Sequence, residues 1–223
     1  MARATLSLNN GDCLIVAGSR EAGALADALP GATVARDVPA RLMTARAVID
    51  ASHPCERDTH ARLAALCAKA GVPLLRFARP GWTVQTGDDW RAVADGAGAR
   101  AALDPAWRRV FLCLGREERA AFAGDEGRHY LVRTRRDDPA AEGLARFALT
   151  AKPGPFTAAA EAELMRAEGI DALVTRDAGG AGAYPKIEGA RRLGLPVVML
   201  ARPPVACPVA RDVGEARAWL ASL

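Results

Sequence analysis

The stretch Asp171–Leu200, DALVTRDAGGAGAYPKIEGARRLGLPVVML, constrains the fold of this chain more than any other. Ala172–Thr175 is an apolar run of strand length. The DAGGAG segment at 177–182 lets the backbone bend and approach a ligand closely, because glycine tolerates positive φ. Pro185 suits the first turn of a helix, Gly194 suits its end, and Pro196–Leu200 reads as the next buried strand. Two strands joined by a helix form a right-handed crossover between parallel neighbours. The loop after the first strand then lies at the carboxyl edge of a sheet, where open α/β sheets bind ligands. Arg176 and Lys186 flank that loop, so the expected ligand is anionic. The plain alternative is a turn whose glycines serve only the turn and whose two basic residues are solvated.

The preceding residues use the same alphabet. Asp12–Ala17 (DCLIVA) is the first expected strand and runs into Gly18-Ser19-Arg20-Glu21. Ser19 is a good N-cap, and Glu21 sits favourably near the positive helix end. Strand–glycine–helix is a phosphate site in outline, although the G-x-G-x-x-G spacing is absent. Ala32–Ala35 is a second strand ending at Arg36. In a dinucleotide fold that strand end lies near the adenosine ribose, and an arginine there favours the 2′-phosphate of NADP. Asp37 beside it opposes that tilt, and a solvated surface pair is the bland reading. Ala45–Ala51 is a third strand ending in Asp50-Ala51-Ser52-His53-Pro54, which puts His53 at the same edge. A capping or core-satisfied histidine is its bland reading. Val72–Arg76 is a fourth strand, a helix is expected over Asp89–Ala97, and Ala99–Ala106 reads as a linker. Strands at Arg109–Leu114, His129–Thr134 and Phe147–Ala151 follow, then a helix capped by Thr157 and, at the end, a helix lined by Val213, Ala216 and Leu220.

Strands alternating with helices predict parallel sheets. Two halves that each open strand–glycine–helix predict an α/β protein of two Rossmann-like parallel-sheet domains, 1–103 and 104–223, with a ligand cleft between them. The length of 223 residues suits one large or two small domains. Lys and Arg total 30 against 26 Asp and Glu, a net charge of +4. Dispersed basic residues and few aromatics argue against a nucleic-acid partner and for local basic pockets. Five cysteines without a CxxC pair indicate neither a disulfide framework nor a zinc site, and no other metal site is expected. Cys13, Cys67 and Cys113 read as core thiols. The start lacks a signal-peptide core and no apolar run reaches membrane-span length, so a cytoplasmic protein without a membrane partner is expected.

Seven segments in order resemble the precorrin-6A reductases of cobalamin biosynthesis: IVAGSREAGALADAL, VIDASHP, LRFARPGW, VFLCLGREERAAF, LVRTRRD, AKPGPFTAAAEAELM and VTRDAGGAGAYPKIEGARRLGLPVVML. They cover nearly the whole chain. The resemblance implies an NADPH-binding first domain and a second domain that helps hold a tetrapyrrole, with terminal residues able to pack on the first domain by strand exchange. The implied reaction reduces one macrocycle double bond, with hydride from the nicotinamide and a proton on the adjacent carbon. On this chain the expected cofactor residues are Gly18, Ser19, Arg20, Glu21, Arg36, Asp50 and Ser52. His53 is the candidate catalytic residue, because histidine ionises near neutral pH, with water as the other proton source. Arg79, Arg116, Arg133, Lys152, Arg176 and Lys186 stand at expected strand ends and would meet substrate carboxylates. Gly179 and Gly180 would let the backbone close on a flat ring. The chain departs from the family in a short Arg36–Thr44 segment and in Asp177-Ala178, where the family has Asn-Ser. The resemblance also allows transient contact with neighbouring pathway enzymes. Alternatives are a cobalt-containing substrate of the anaerobic pathway, or a non-catalytic two-domain module for an anionic ligand.

Overall fold

The computed structural model describes residues 13–19, 21–35, 44–134, 143–151 and 154–223. The chain forms two compact units, Met1–Pro80 with Pro203–Leu223, and Gly81–Arg202.

The first unit holds strands β1 (Cys13–Ala17), β2 (Thr33–Ala35), β3 (Ala47–Ala51) and β4 (Leu74–Phe77), and helices α1 (Glu21–Ala28) and α2 (Arg57–Ala70). All its strands are parallel, in the order β11-β4-β3-β1-β2, where β11 is Val209–Ala210 near the chain end. Its strands are apolar on both faces, as a parallel sheet buried on both sides requires. Ile15, Ile49 and Leu75 pack with Leu25 of α1 and Leu220 of the last helix, Val213–Ala221. Leu14, Val16 and Val48 pack on the other face with Leu63 and Cys67 of α2. From β1 the chain goes outward to β2 and then back past β1 to β3. The loops after β1 and β3 therefore diverge, which is the topological switch point.

The second unit carries β5 (Trp90–Val93), β6 (Arg109–Cys113), β7 (His129–Arg133), β8 (Phe147–Thr150), β9 (Ala172–Arg176) and β10 (Val197–Leu200). Its helices are α3 (Gly96–Ala101), α4 (Arg116–Ala120), α5 (Ala158–Ala167) and α6 (Pro185–Arg192); α7 is the Val213–Ala221 helix of the first unit. The sheet is again parallel, in the order β5-β10-β9-β6-β7-β8, with its switch point between β6 and β9. Val110 and Leu112 face Ala99 and Phe122, whereas Phe111 faces Met165 and Ile187. The organising stretch folds as read. Pro185 stands in the first turn of α6, and Gly194 (φ 63°) closes it, its N–H donating to the Arg191 carbonyl.

Three expectations are corrected. No helix forms over Asp89–Ala97; Trp90–Val93 is an edge strand on β10, and α3 starts only after Asp95, whose carboxylate accepts from Gly98 N–H. An edge strand needs little burial, so its apolar pattern is weak. Ala99–Ala106 is not a linker, because Ala99 and Leu103 belong to the second core. The chain consequently divides at 80/81 and 202/203, not at 103/104. Among the described residues, no helix is long and apolar enough to cross a membrane, and no three His, Cys, Asp or Glu side chains gather as a metal site.

Candidate functional site

The switch point of the first unit brings Gly18 and Ser19, after β1, against the Ser52–His53 turn after β3. Gly18 N–H donates to the Ala51 carbonyl at 3.2 Å, and a Cβ on Gly18 would meet Ser52 Cα at 3.0 Å. A side chain at this position would force the Ser52–His53 turn to give way. α1 is described from Glu21 onward. Ser19 Oγ is buried and makes no hydrogen bond of sound geometry among the described residues, although it lies near enough to Glu21 to favour that carboxylate's charged form. Burial works to raise the Glu21 pKa, but its own backbone N–H and the paired Arg79 outweigh this and lower it. Arg79, expected to meet the substrate, thus sits in the first unit and neutralises a residue expected to meet the cofactor.

Beneath the turn lies a buried polar network. Asp50 is fully buried, and its Oδ2 accepts from Arg76 Nη1 and from His60 Nδ1 at 2.7 Å. Its Oδ1 accepts from Ser52 N–H at 3.0 Å. Arg76 Nη1 also donates to Ser52 Oγ at 2.7 Å, and Nη2 donates to the His53 carbonyl at 2.8 Å. Burial pushes the Asp50 pKa up, but the Arg76 guanidinium, Ser52 and His60 overcome it and hold the carboxyl below its ordinary range. The side chains of Asp50 and Ser52, expected to contact a cofactor, are thereby committed to the protein; they shape the turn. His53 is half-buried, and its Nδ1 accepts from Cys55 N–H at 3.2 Å. A backbone amide can only donate, so this geometry selects the neutral ring with its proton on Nε2. To serve as an acid, His53 would first have to give up the Cys55 bond.

The second unit's switch point joins Gly115 and Arg116, after β6, to the loop after β9. A Cβ on Gly115 would meet Arg176 Nη1 at 3.2 Å, and Arg176 pairs with Glu118 at 3.4 Å. Arg116 is exposed. Buried Arg119 donates to the Leu114 carbonyl at 3.2 Å and fixes this loop from below. Gly179 and Gly180 adopt φ of 66° and 67°, the left-handed region. Trp82 braces their loop: its indole N–H donates to the Gly180 carbonyl at 2.9 Å and its backbone N–H to Asp177 Oδ1 at 3.0 Å. Asp177 Oδ2 also pairs with Arg202 at 3.3 Å. The Asp177 carboxylate therefore faces a cation and a donor.

Arg133 and Lys186 are turned inward. Arg133 donates to the buried Glu161 at 2.9 Å and stacks on Phe111 and Phe156 at 4.9 and 4.4 Å. Lys186 is 7% exposed, donates to the Ala183 carbonyl at 2.8 Å and lies 4.9 Å over Trp82. Burial pushes its ammonium pKa down and the adjacent Cys113 thiol up. Lys186 is not the exposed rim charge its position in the sequence suggested. Arg20, Arg36, most of the Arg36–Thr44 segment and Lys152 lie outside the described residues. Arg76, His60 and Trp82 were not singled out from sequence. The signals were an arginine inside an otherwise apolar strand, and a histidine sharing a helical face with Leu63 and Cys67.

Two parallel-sheet units, each with glycine loops and fixed arginines at its switch point, define a two-domain Rossmann-like α/β protein. Residues 40–221 match the family described as "Precorrin-6x reductase CbiJ/CobK". The chain belongs to that family. It is 42% identical over 166 residues to a precorrin-6A reductase of Rhodobacter capsulatus, covering 74% of this chain and 65% of that protein. The chain thus spans just under two thirds of that relative's length. A cobalt-precorrin-6A reductase of Salmonella typhimurium is 28% identical over 240 residues, covering 88% and 89%. A solved structure titled CobK precorrin-6A reductase superposes with a TM-score of 0.76 at 34% identity, covering 94% of this chain and 96% of that one.

Proposed function

We propose that this chain is an NADPH-dependent reductase of a precorrin-6A-type macrocycle, with the cofactor on the first unit and the tetrapyrrole on the second. The observation that carries the reading is the first switch point, in a chain of this family: a cradle at Gly18 that a side chain would fill, beside the buried Ser19 Oγ, which has no partner of sound geometry among the described residues, and the start of α1. Those features fit a dinucleotide phosphate. Gly18 and Ser19 would hold the pyrophosphate, with Arg20 adding charge and the Glu21 carboxylate neutralised by Arg79. When bound, NADPH supplies the hydride. His53, as the neutral tautomer, offers a donor rather than a proton, so the proton on the adjacent carbon comes from water. In the second unit Arg116 and Arg176 meet macrocycle carboxylates, and the Gly179–Gly180 loop lies against the ring.

The test is absorbance loss at the nicotinamide band when NADPH and precorrin-6A are mixed with the protein. NADPH binding without turnover would leave the binding module as the reading. Running the assay with cobalt-precorrin-6A separates the second substrate, which the Salmonella relative's name brings into view.

Arg36 follows β2 directly and is proposed to select NADPH over NADH. A charge-assisted contact contributes about 1.5–3 kcal/mol, so Arg36→Ala should cut the preference in kcat/KM by roughly tenfold or more. An unchanged ratio would assign the contact elsewhere, with Arg20 next.

Lys186 is proposed to serve the substrate through its loop, by holding Ala183 and stacking on Trp82. Lys186→Met keeps most of the side chain's length and removes a desolvated charge. Stability should stay level or rise, because replacing buried charge by apolar volume is often neutral or stabilising. Tetrapyrrole affinity should fall by roughly tenfold, with NADPH affinity intact. Paired titrations and a melting curve decide this; lost NADPH binding with normal tetrapyrrole binding would reverse the assignment of the two units.

A further inference from the structure

We propose that Arg76 is a positioning residue for the cofactor: it holds the Ser52–His53 turn from below and so sets both NADPH affinity and the tautomer of His53. The inference rests on the reading that NADPH binds the first unit.

Asp50 and Arg76 are register partners on neighbouring parallel strands, one residue before the end of each. Both are almost fully buried, at 0% and 3% exposure. Arg76 reaches two consecutive residues of the turn, through the Ser52 hydroxyl and the His53 carbonyl. Asp50 fixes the guanidinium from the other side, and is itself held by His60 and by the Ser52 N–H. A planar guanidinium can serve these acceptors at once, whereas an ammonium is a point donor without that fork. With the His53 carbonyl held, the chain direction brings Cys55 N–H onto His53 Nδ1. The same turn presses on Gly18, so its position also sets the width of the cradle after β1. Arg76 is buried beneath the turn and acts through it.

The experiment compares the unsubstituted chain with Arg76→Lys, Ser52→Ala, Gly18→Val and Leu220→Ala. NADPH dissociation constants, melting temperatures and the ¹⁵N NMR signature of the His53 ring are measured for each. Arg76→Lys should weaken NADPH at least tenfold and convert the single His53 tautomer into a mixture. Ser52→Ala, which loses one of these bonds, should show a smaller effect in the same direction and stands in if Arg76→Lys does not fold. Leu220→Ala opens the core under α7 and should lower the melting temperature while leaving both other readouts unchanged. Unchanged NADPH affinity in Gly18→Val would sink the reading of the cofactor site itself. Weakening in Gly18→Val without weakening in Arg76→Lys would overturn this inference alone. An unchanged His53 signature in folded Arg76→Lys, or in Ser52→Ala where Arg76→Lys does not fold, overturns it wherever NADPH binds.

Discussion

Gly18→Val should raise the NADPH dissociation constant by roughly a hundredfold, a loss of about 2.7 kcal/mol of binding energy. The reason is steric. A Cβ at this position already lies 3.0 Å from Ser52 Cα and 3.5 Å from His53 N. Two further methyl groups must push the Ser52–His53 turn away from β1 or turn into the cradle proposed for the pyrophosphate. Backbone atoms, not a flexible side chain, resist the displacement. Overpacking of this kind costs about 1–3 kcal/mol in stability, so the variant should fold and melt somewhat earlier. Isothermal titration on the folded variant is the direct check. Wild-type affinity would place the dinucleotide elsewhere.

Asp50→Ala should be the most destabilising of the substitutions considered, at about 3–5 kcal/mol. The variant leaves Arg76 buried without its counter-charge, and His60 and Ser52 N–H without their acceptor. A loss of that size is a large share of the 5–15 kcal/mol that holds a typical domain together. A shift below about 1 kcal/mol in denaturant-derived stability would show that the network carries little energy. The pH dependence has a defined sign. The folded Asp50 pKa is depressed, so the unfolded chain binds the proton more readily. The contribution is complete above the unfolded value of about 3.9 and is lost as pH falls through the folded one. Acid unfolding of the wild type should therefore be steeper below about pH 4 than that of Asp50→Asn, which cannot titrate there.

The legible and illegible parts of this protein divide along one physical line. Runs such as Leu14–Val16, Val48–Ile49 and Val110–Leu112 announce buried parallel strands because both faces are covered. Glycine and proline punctuate them locally, so the loop after β9 and the boundaries of α6 could be read directly. β5 escaped because an edge strand paired on one side needs few apolar residues, and β11 because it is two residues long.

The residues at the sheet edges were legible as a set, since parallel strands place all their carboxyl ends together. Their partners were not. Asp50 meets Arg76 because β3 lies beside β4 in a particular register. Asp177 meets Arg202 and the Trp82 amide because β9 lies beside β10 and the segment after Pro80 crosses that loop. Lys186 became a buried brace rather than a surface cation through the packing of α6 against α5 and Trp82. Apolar periodicity and turn chemistry act over a few residues, so the amino-acid order alone determined that this chain forms parallel α/β layers and where their ligand-facing loops fall. The ion pairs that hold these loops join residues 25 or more positions apart, as in Asp50–Arg76 and Asp177–Arg202, so only the tertiary structure decided which charges face outward and which hold the loops in place.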